Sequence, residues 1–134
     1  MQMETTQARA GQDRRTYKRK VGDRGEDAAC TMLIREGLRI LCRNFYCKTG
    51  EIDIIAFDPE ECALVFTEVK TRNSSAYGLP CEFVGRDKQR RLKLTAEYYL
   101  LRNPRYRSCA LRMDIVEILQ TDSGLFGRHI KNAF

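Results

Sequence analysis

The sequence predicts an α/β sandwich, a mixed sheet with helices covering its faces. Three observations lead there. Strand-like segments at 38–43, 51–57 and 63–71 follow one another through short turns, which makes them an antiparallel meander. A helix-length segment, Arg86 to Arg102, separates the third from a fourth strand at 111–119, long enough for a right-handed parallel crossover. A further helical segment precedes the meander, so both sheet faces can be covered. The order is α-β-β-β-α-β in one domain, residues 21–134, behind a basic tail at 1–20 that carries few large apolar side chains. A chain of 134 residues can bury a core without staples.

Each element has its own signal. Gly22-Asp23-Arg24-Gly25-Glu26 introduces the first helix, with Asp23 and Glu26 spaced as a capping box and Gly37 as the stop. Glu26, Ala29, Cys30 and Leu33 also follow helical spacing, so Glu26 borders the buried stripe. Leu38 to Arg43 alternates as a strand, and Tyr46 to Gly50 turns into the second strand, Glu51 to Phe57. Asp58-Pro59-Glu60-Glu61 is a turn, and the third strand spans Ala63 to Thr71. Asn73 to Pro80 is polar, rich in breakers, and expected to move. The second helix presents Leu92, Ala96, Tyr99 and Leu100 on one face and ends at Asn103-Pro104. Leu111 to Leu119 is the fourth strand, Thr121 to Gly124 a turn, and His129 to Phe134 a short closing strand.

Composition excludes several classes. No apolar run approaches the roughly 18 residues needed to cross a bilayer. Met1 to Gly11 is polar, unlike a secretion signal, so a cytoplasmic protein without membrane contact is expected. The six cysteines form no C-x-x-C pair and the only histidine is His129, which argues against zinc. Most of the cysteines have apolar neighbours and read as buried thiols. Net charge is +6, but its distribution matters more. From Glu51 through Glu68 there are six acids and no Lys or Arg, whereas Arg86 through Arg107 holds eight basic residues against Asp87 and Glu97. An acidic centre between basic flanks suits an enzyme that holds a polyanion and a metal, although basic runs are as often just solvated faces.

The residues that carry chemistry lie in the second and third strands. Glu68 and Lys70 are two apart and share a strand face, and a hairpin brings Asp53 close. Such a pair on a solvated face contributes little. Here Val65, Phe66 and Val69 mark a mostly buried strand, where charges are costly. Asp53 and Glu68 suit a hard cation, Mg2+ or Mn2+, with the Val69 carbonyl as a further ligand and Lys70 beside attacking water and phosphate. Glu26 caps its own helix or projects toward that site. Glu51 is a secondary candidate on the Asp53 strand. Lys88 and Gln89 can point inward from the second helix, while Arg90 and Arg91 suit backbone phosphate.

Gly25-Glu26-Asp27-Ala28-Ala29, Gly50-Glu51-Ile52-Asp53-Ile54-Ile55-Ala56, Phe66-Thr67-Glu68-Val69-Lys70-Thr71-Arg72, Lys88-Gln89-Arg90-Arg91-Leu92, Arg112-Met113-Asp114-Ile115-Val116 and Asn132-Ala133-Phe134 occur in order along the chain. Together they resemble the YraN-like uncharacterised bacterial family, over roughly Val21 to Phe134. That family is similar in turn to archaeal Holliday junction resolvases and to nucleases of the restriction-endonuclease-like fold. The resemblance implies an αβββαβ core of that type, with Glu26, Asp53, Glu68 and Lys70 as catalytic residues. Ile52 stands where many such nucleases have proline. It also implies nucleic acid, DNA above all, as partner, with Arg72 and the Lys88–Arg91 segment as contacts. A homodimer would match the two symmetric scissile bonds of a four-way junction. A non-catalytic nucleic-acid-binding module of the same fold, and a protein-interaction subunit, are the alternatives.

Overall fold

The computed structural model describes residues 17–73 and 84–134. The elements are α1 (Tyr17–Arg35), β1 (Arg39–Cys47), β2 (Gly50–Asp58), β3 (Ala63–Asn73), α2 (Arg86–Arg102), β4 (Ala110–Thr121) and β5 (Gly124–Ile130), with a single 3-10 turn at Pro104–Tyr106. Five strands form one sheet in the order β1-β2-β3-β4-β5. The first three make the expected antiparallel meander, and β3 pairs with β4 in parallel through the α2 crossover. The protein is an α/β fold with a restriction-endonuclease-like core.

Strand alternation sends two sets of side chains to opposite faces. Ile54, Ala56, Val65, Val116 and Ile118 pack with Ala29 and Leu33 of α1. Ile55, Leu64, Phe66 and Met113 pack with Leu92, Ala96 and Tyr99 of α2. Tyr99 meets both Phe45 and Phe66 edge-on, at centroid distances of 5.1 and 6.2 Å, the favoured geometry for ring quadrupoles.

The helix boundaries separate what local chemistry signals from what packing decides. Gly37 stops α1 as expected, with φ +96° and the Leu38 N–H donating back to the Leu33 carbonyl at 3.0 Å. The capping box is overturned: α1 begins at Tyr17 and runs straight through Asp23 and Glu26, so neither caps its start. Gly25 sits inside the helix because β3 lies against it. A Cβ there would lie 2.3 Å from the Thr71 Oγ1, so the glycine serves a close approach rather than a terminus. Helix α2, Arg86–Arg102, matches its expected bounds. Residues 1–16 of the expected tail and 74–83 of the expected loop lie outside the described residues.

Two strands differ from expectation. β1 continues to Cys47 and leaves only Lys48 and Thr49 as the turn, because Cys47 pairs with Gly50. The closing strand begins at Gly124, directly after the turn, and ends at Ile130 rather than Phe134. Leu125 and Phe126 are adjacent and both exposed, so this hairpin lacks the alternation that marks a strand in sequence. Beyond it, the Asn132 N–H donates to Asp114 at 3.1 Å and the Ala133 N–H to the Met113 carbonyl at 2.7 Å, which fastens the C-terminal residues to β4.

Asp114, opposite Thr67 in the sheet, belongs to a buried charge network on β4. Arg112 donates to it from Nε and Nη2 at 3.0 Å each, and from Nη1 to Asp58 at 2.9 Å and Glu61 at 2.7 Å. His129 bridges Asp114 at 2.7 Å and Glu36 of the turn after α1 at 2.6 Å. Burial opposes the charge on Asp58 and Asp114, yet Arg112 on both, and His129 on Asp114, hold them below the ordinary carboxylate range. Asp114 raises His129, against burial and with help from Glu36. The carboxylate contribution is therefore present at neutral pH and lost as pH falls through their depressed values. That of His129 is present in acid and lost as pH rises through its raised value.

Two outcomes test this frame. Arg112→Met leaves Asp58 and Asp114 buried without their cation and lowers unfolding free energy by about 3–5 kcal/mol, read by urea denaturation. Gly25→Ala costs about 1–3 kcal/mol, and a second change, Thr71→Ala, recovers most of it.

Candidate active site

Asp53 stands where the sheet opens. The β2–β3 ladder pairs Asp58 with Ala63 and ends with Ile54 opposite Thr67. The next opposed pair would be Asp53 and Glu68, but here the backbones part. The Asp53 carboxylate fills the gap, and its Oδ2 accepts the Val69 N–H at 2.8 Å. Alternation also breaks at this point: Ile54 packs on the α1 side and Ile52 on the α2 side. The neighbouring strand accommodates the break at Asn44, φ +56°, between the pairs Arg43–Ile54 and Phe45–Ile52. Because N–H and C=O of one strand residue point the same way, the Val69 carbonyl also faces the opening.

Glu68 and Lys70 lie on the α2 face of β3. Glu68 accepts Lys88 of α2 at 2.8 Å and lies 3.9 Å from Lys70. Asp53 is half-buried, and its carboxyl is pushed up to about 7. Burial is the first cause and the Glu68 charge the second; the Val69 N–H opposes them, and Glu26 and Glu51 add smaller repulsion. Asp53 and Glu68 therefore share one neighbourhood. Among the described residues, no three His, Cys, Asp or Glu side chains gather closely enough to hold a metal by themselves. The oxygens available to a cation here are two side-chain carboxylates and a backbone carbonyl.

Glu26 approaches from the α1 side. Its carboxylate lies 3.5 Å from Arg43 of β1, which also holds Asp27 at 2.8 Å. Arg43 went unremarked in the sequence, where it is one basic residue in an alternating strand. Only the register with Ile54 turns it toward α1. Glu51 is exposed. Gln89 donates to the Val84 carbonyl at 2.8 Å, at the start of its own helix. Arg90 pairs with Asp87 at 3.2 Å, and Arg90 and Arg91 are exposed. Arg72 lies 3.3 Å from the buried Glu117, which also takes Arg128 of β5. Glu117 was likewise missed, since its parallel pairing with Lys70 depends on the crossover.

Fold and cluster together define an α/β protein of restriction-endonuclease-like architecture. Residues 25–118 match the model of a family described as "Uncharacterised protein family UPF0102". The chain belongs to that family, in agreement with the YraN-like resemblance. A UPF0102 protein of Pelobacter propionicus is 46% identical over 90% of this chain and 86% of its own length. One from Caldicellulosiruptor saccharolyticus is 44% identical over 87% of this chain and 98% of its own length. One from Symbiobacterium thermophilum is 46% identical over 87% of this chain and 97% of its own length. Among the described residues, no helix is long and apolar enough to cross a membrane.

The raised Asp53 value has a measurable consequence. A carboxyl that titrates near 7 when folded and at 3.8 when free contributes stability at low pH that is lost as pH rises toward 7. Without divalent cations, the stability of wild type relative to Asp53→Asn falls between about pH 4 and 7, by at most about 4 kcal/mol, and levels off above that. Parallel denaturation series of the two proteins cancel the His129 contribution and isolate this one.

Proposed function

We propose that the protein is a Mg2+- or Mn2+-dependent endonuclease that hydrolyses phosphodiester bonds in DNA, branched or otherwise structured. The observation that carries this reading is the meeting of Asp53, Glu68 and Lys70 where β2 leaves β3, locked by the Val69 N–H. Asp53, held near neutrality by burial first and by the Glu68 charge second, forms with Glu68 a donor set that a hard cation relieves. Asp53, Glu68 and the Val69 carbonyl would hold it. When bound, it supplies a water of lowered pKa and offsets charge on the phosphate.

The chain's own residues supply the rest. Val69 fixes the Asp53 carboxylate through a backbone bond that cannot rotate away. Lys70 faces the same opening, orients the attacking water and balances phosphate charge. Arg43 positions Glu26 on the helix side, where it can accept a proton from water. Lys88 is the counter-ion of Glu68 in the cation-free protein and is close enough to pass to a phosphate when a cation replaces it. The exposed Arg90 and Arg91, with Arg72, extend positive charge along the backbone path of a nucleic acid.

One observation favours a second reading, a non-catalytic binding module: the Lys88 pair already satisfies Glu68. Cleavage of linear, nicked, flap and four-way DNA with Mg2+ or Mn2+ separates the two. The nuclease reading expects Glu68→Ala and Lys70→Ala each to lose about 100-fold or more in rate while binding DNA in EDTA as well as wild type. Binding without cutting would leave the module, and equal cutting by wild type and variants would move any activity to another site. A homodimer fits the same reading. β5 is a sheet edge with Leu125 and Phe126 exposed, a surface a second copy can cover. Light scattering should give about twice 15.6 kDa; the monomer mass at all concentrations would exclude it.

A further inference from the structure

At the other end of β3 from the candidate site, two thiols touch. Cys62 directly precedes β3 and Cys109 directly precedes β4, whose first residues, Ala63 and Ala110, are parallel partners. The Ala110 N–H donates to the Cys62 carbonyl at 3.2 Å, so the two backbones run side by side as adjacent strands do. The Cys62 Sγ lies 4.0 Å from the Cys109 Sγ. Adjacent-strand spacing falls inside the Cα range that a disulfide accepts, so a side-chain rotation rather than a backbone shift closes the gap. Cys62 is exposed and Cys109 partly so, unlike Cys30 and Cys42, which are buried. This also corrects the expectation that most of the cysteines are buried.

We propose that Cys62 and Cys109 form an intramolecular redox pair, converted by a hydroperoxide into a disulfide that staples the β2–β3 turn to the start of β4. The Cys62 thiolate, the more accessible, attacks the peroxide oxygen; the O–O bond breaks, and the leaving alkoxide or hydroxide takes a proton. The sulfur is oxidised to sulfenic acid and the peroxide reduced to alcohol or water. The Cys109 sulfur then attacks that sulfur, the S–O bond breaks, and water leaves with the Cys109 proton.

The staple has a definite location and effect. The turn it fixes carries Asp58 and Glu61, which receive Arg112. It closes a long loop through β3 and α2, which removes freedom from the unfolded chain. Lys70 lies eight residues further along β3, roughly 26 Å away at strand spacing, so the crosslink leaves the candidate site open.

Treating the full chain with hydrogen peroxide, then alkylating and mapping its peptides, tests the pair. The expected result is a Cys62–Cys109 crosslink, a melting temperature several degrees above the reduced protein, and reversal of both by a thiol reductant. Cys109→Ser should abolish the crosslink and leave a sulfenic acid on Cys62 that a cyclic dione traps. Pairing of Cys62 with any other cysteine overturns the proposal. So does oxidation of Cys62 to sulfinic acid while Cys109 remains free, or a crosslink without a melting shift. The wild-type map decides the matter even where the serine variant folds poorly.

Discussion

The bond from the Val69 N–H to the Asp53 carboxylate is the constraint on which the rest of the site depends. A sheet that simply continued would pair backbone with backbone and leave no room for chemistry. Here the ladder stops after Ile54 and Thr67, and a side chain takes over the hydrogen bond that a main-chain carbonyl would have accepted. A backbone N–H left without that partner would carry the cost of an unsatisfied polar group. The same bond therefore stabilises the opening and sets the direction of the carboxylate. Asp53 lies in the plane between faces, with Glu68 offered from the α2 face and Glu26 from α1.

Electrostatics then set two charge clusters of the sheet apart. Around Arg112, the carboxylates meet a guanidinium and an imidazole, and both Asp58 and Asp114 are held in the charged form. Around Asp53, burial and neighbouring carboxylates outweigh one backbone donor, and the acid is driven toward neutrality. The first arrangement is satisfied from within the chain; the second is not. Buried groups that stay strained in this way cluster at sites that bind something, although structural networks also shift pKa values. Among the described residues Lys88 relieves Glu68 and no cation does the same for Asp53, so the imbalance sits on the residue fixed by the backbone.

The fold was legible because its signals are local and mutually consistent. Alternation marked the meander, the bounds of α2 fell where Pro104 stops it, and the crossover length dictated the parallel pair. The errors have one cause. Gly25 reads as helix punctuation, yet its meaning lies in Thr71, 46 residues away in sequence and 2.3 Å from where a Cβ would sit. The exposed Leu125 and Phe126 hide a strand whose existence depends on pairing with β4. In the site, Asp53, Glu68 and Lys70 could be singled out from burial and spacing. Arg43 and Glu117 could not, because their roles arise from register between strands.

That division explains how one small sheet can be firm and open at once. The Arg112 cluster and the C-terminal bonds to Asp114 and Met113 knit the half of β4 beside Ala63–Thr67, and the hairpin with β5 pairs the other half, Ile115–Thr121, beside Glu68–Asn73. The eleven-residue parallel pairing of β3 with β4 carries that order along to Asn73. β3 can thus lose β2 as a neighbour beyond Thr67 and still hold its backbone straight, since β4 supports it along the entire length. A strand deprived of one strand partner presents its alternate side chains to whatever enters the gap. With Glu68 and Lys70 on such a strand and Asp53 on the one that departs, the pocket is opened by topology and kept in shape by the pairing of β3 with β4 and the charges buried along β4.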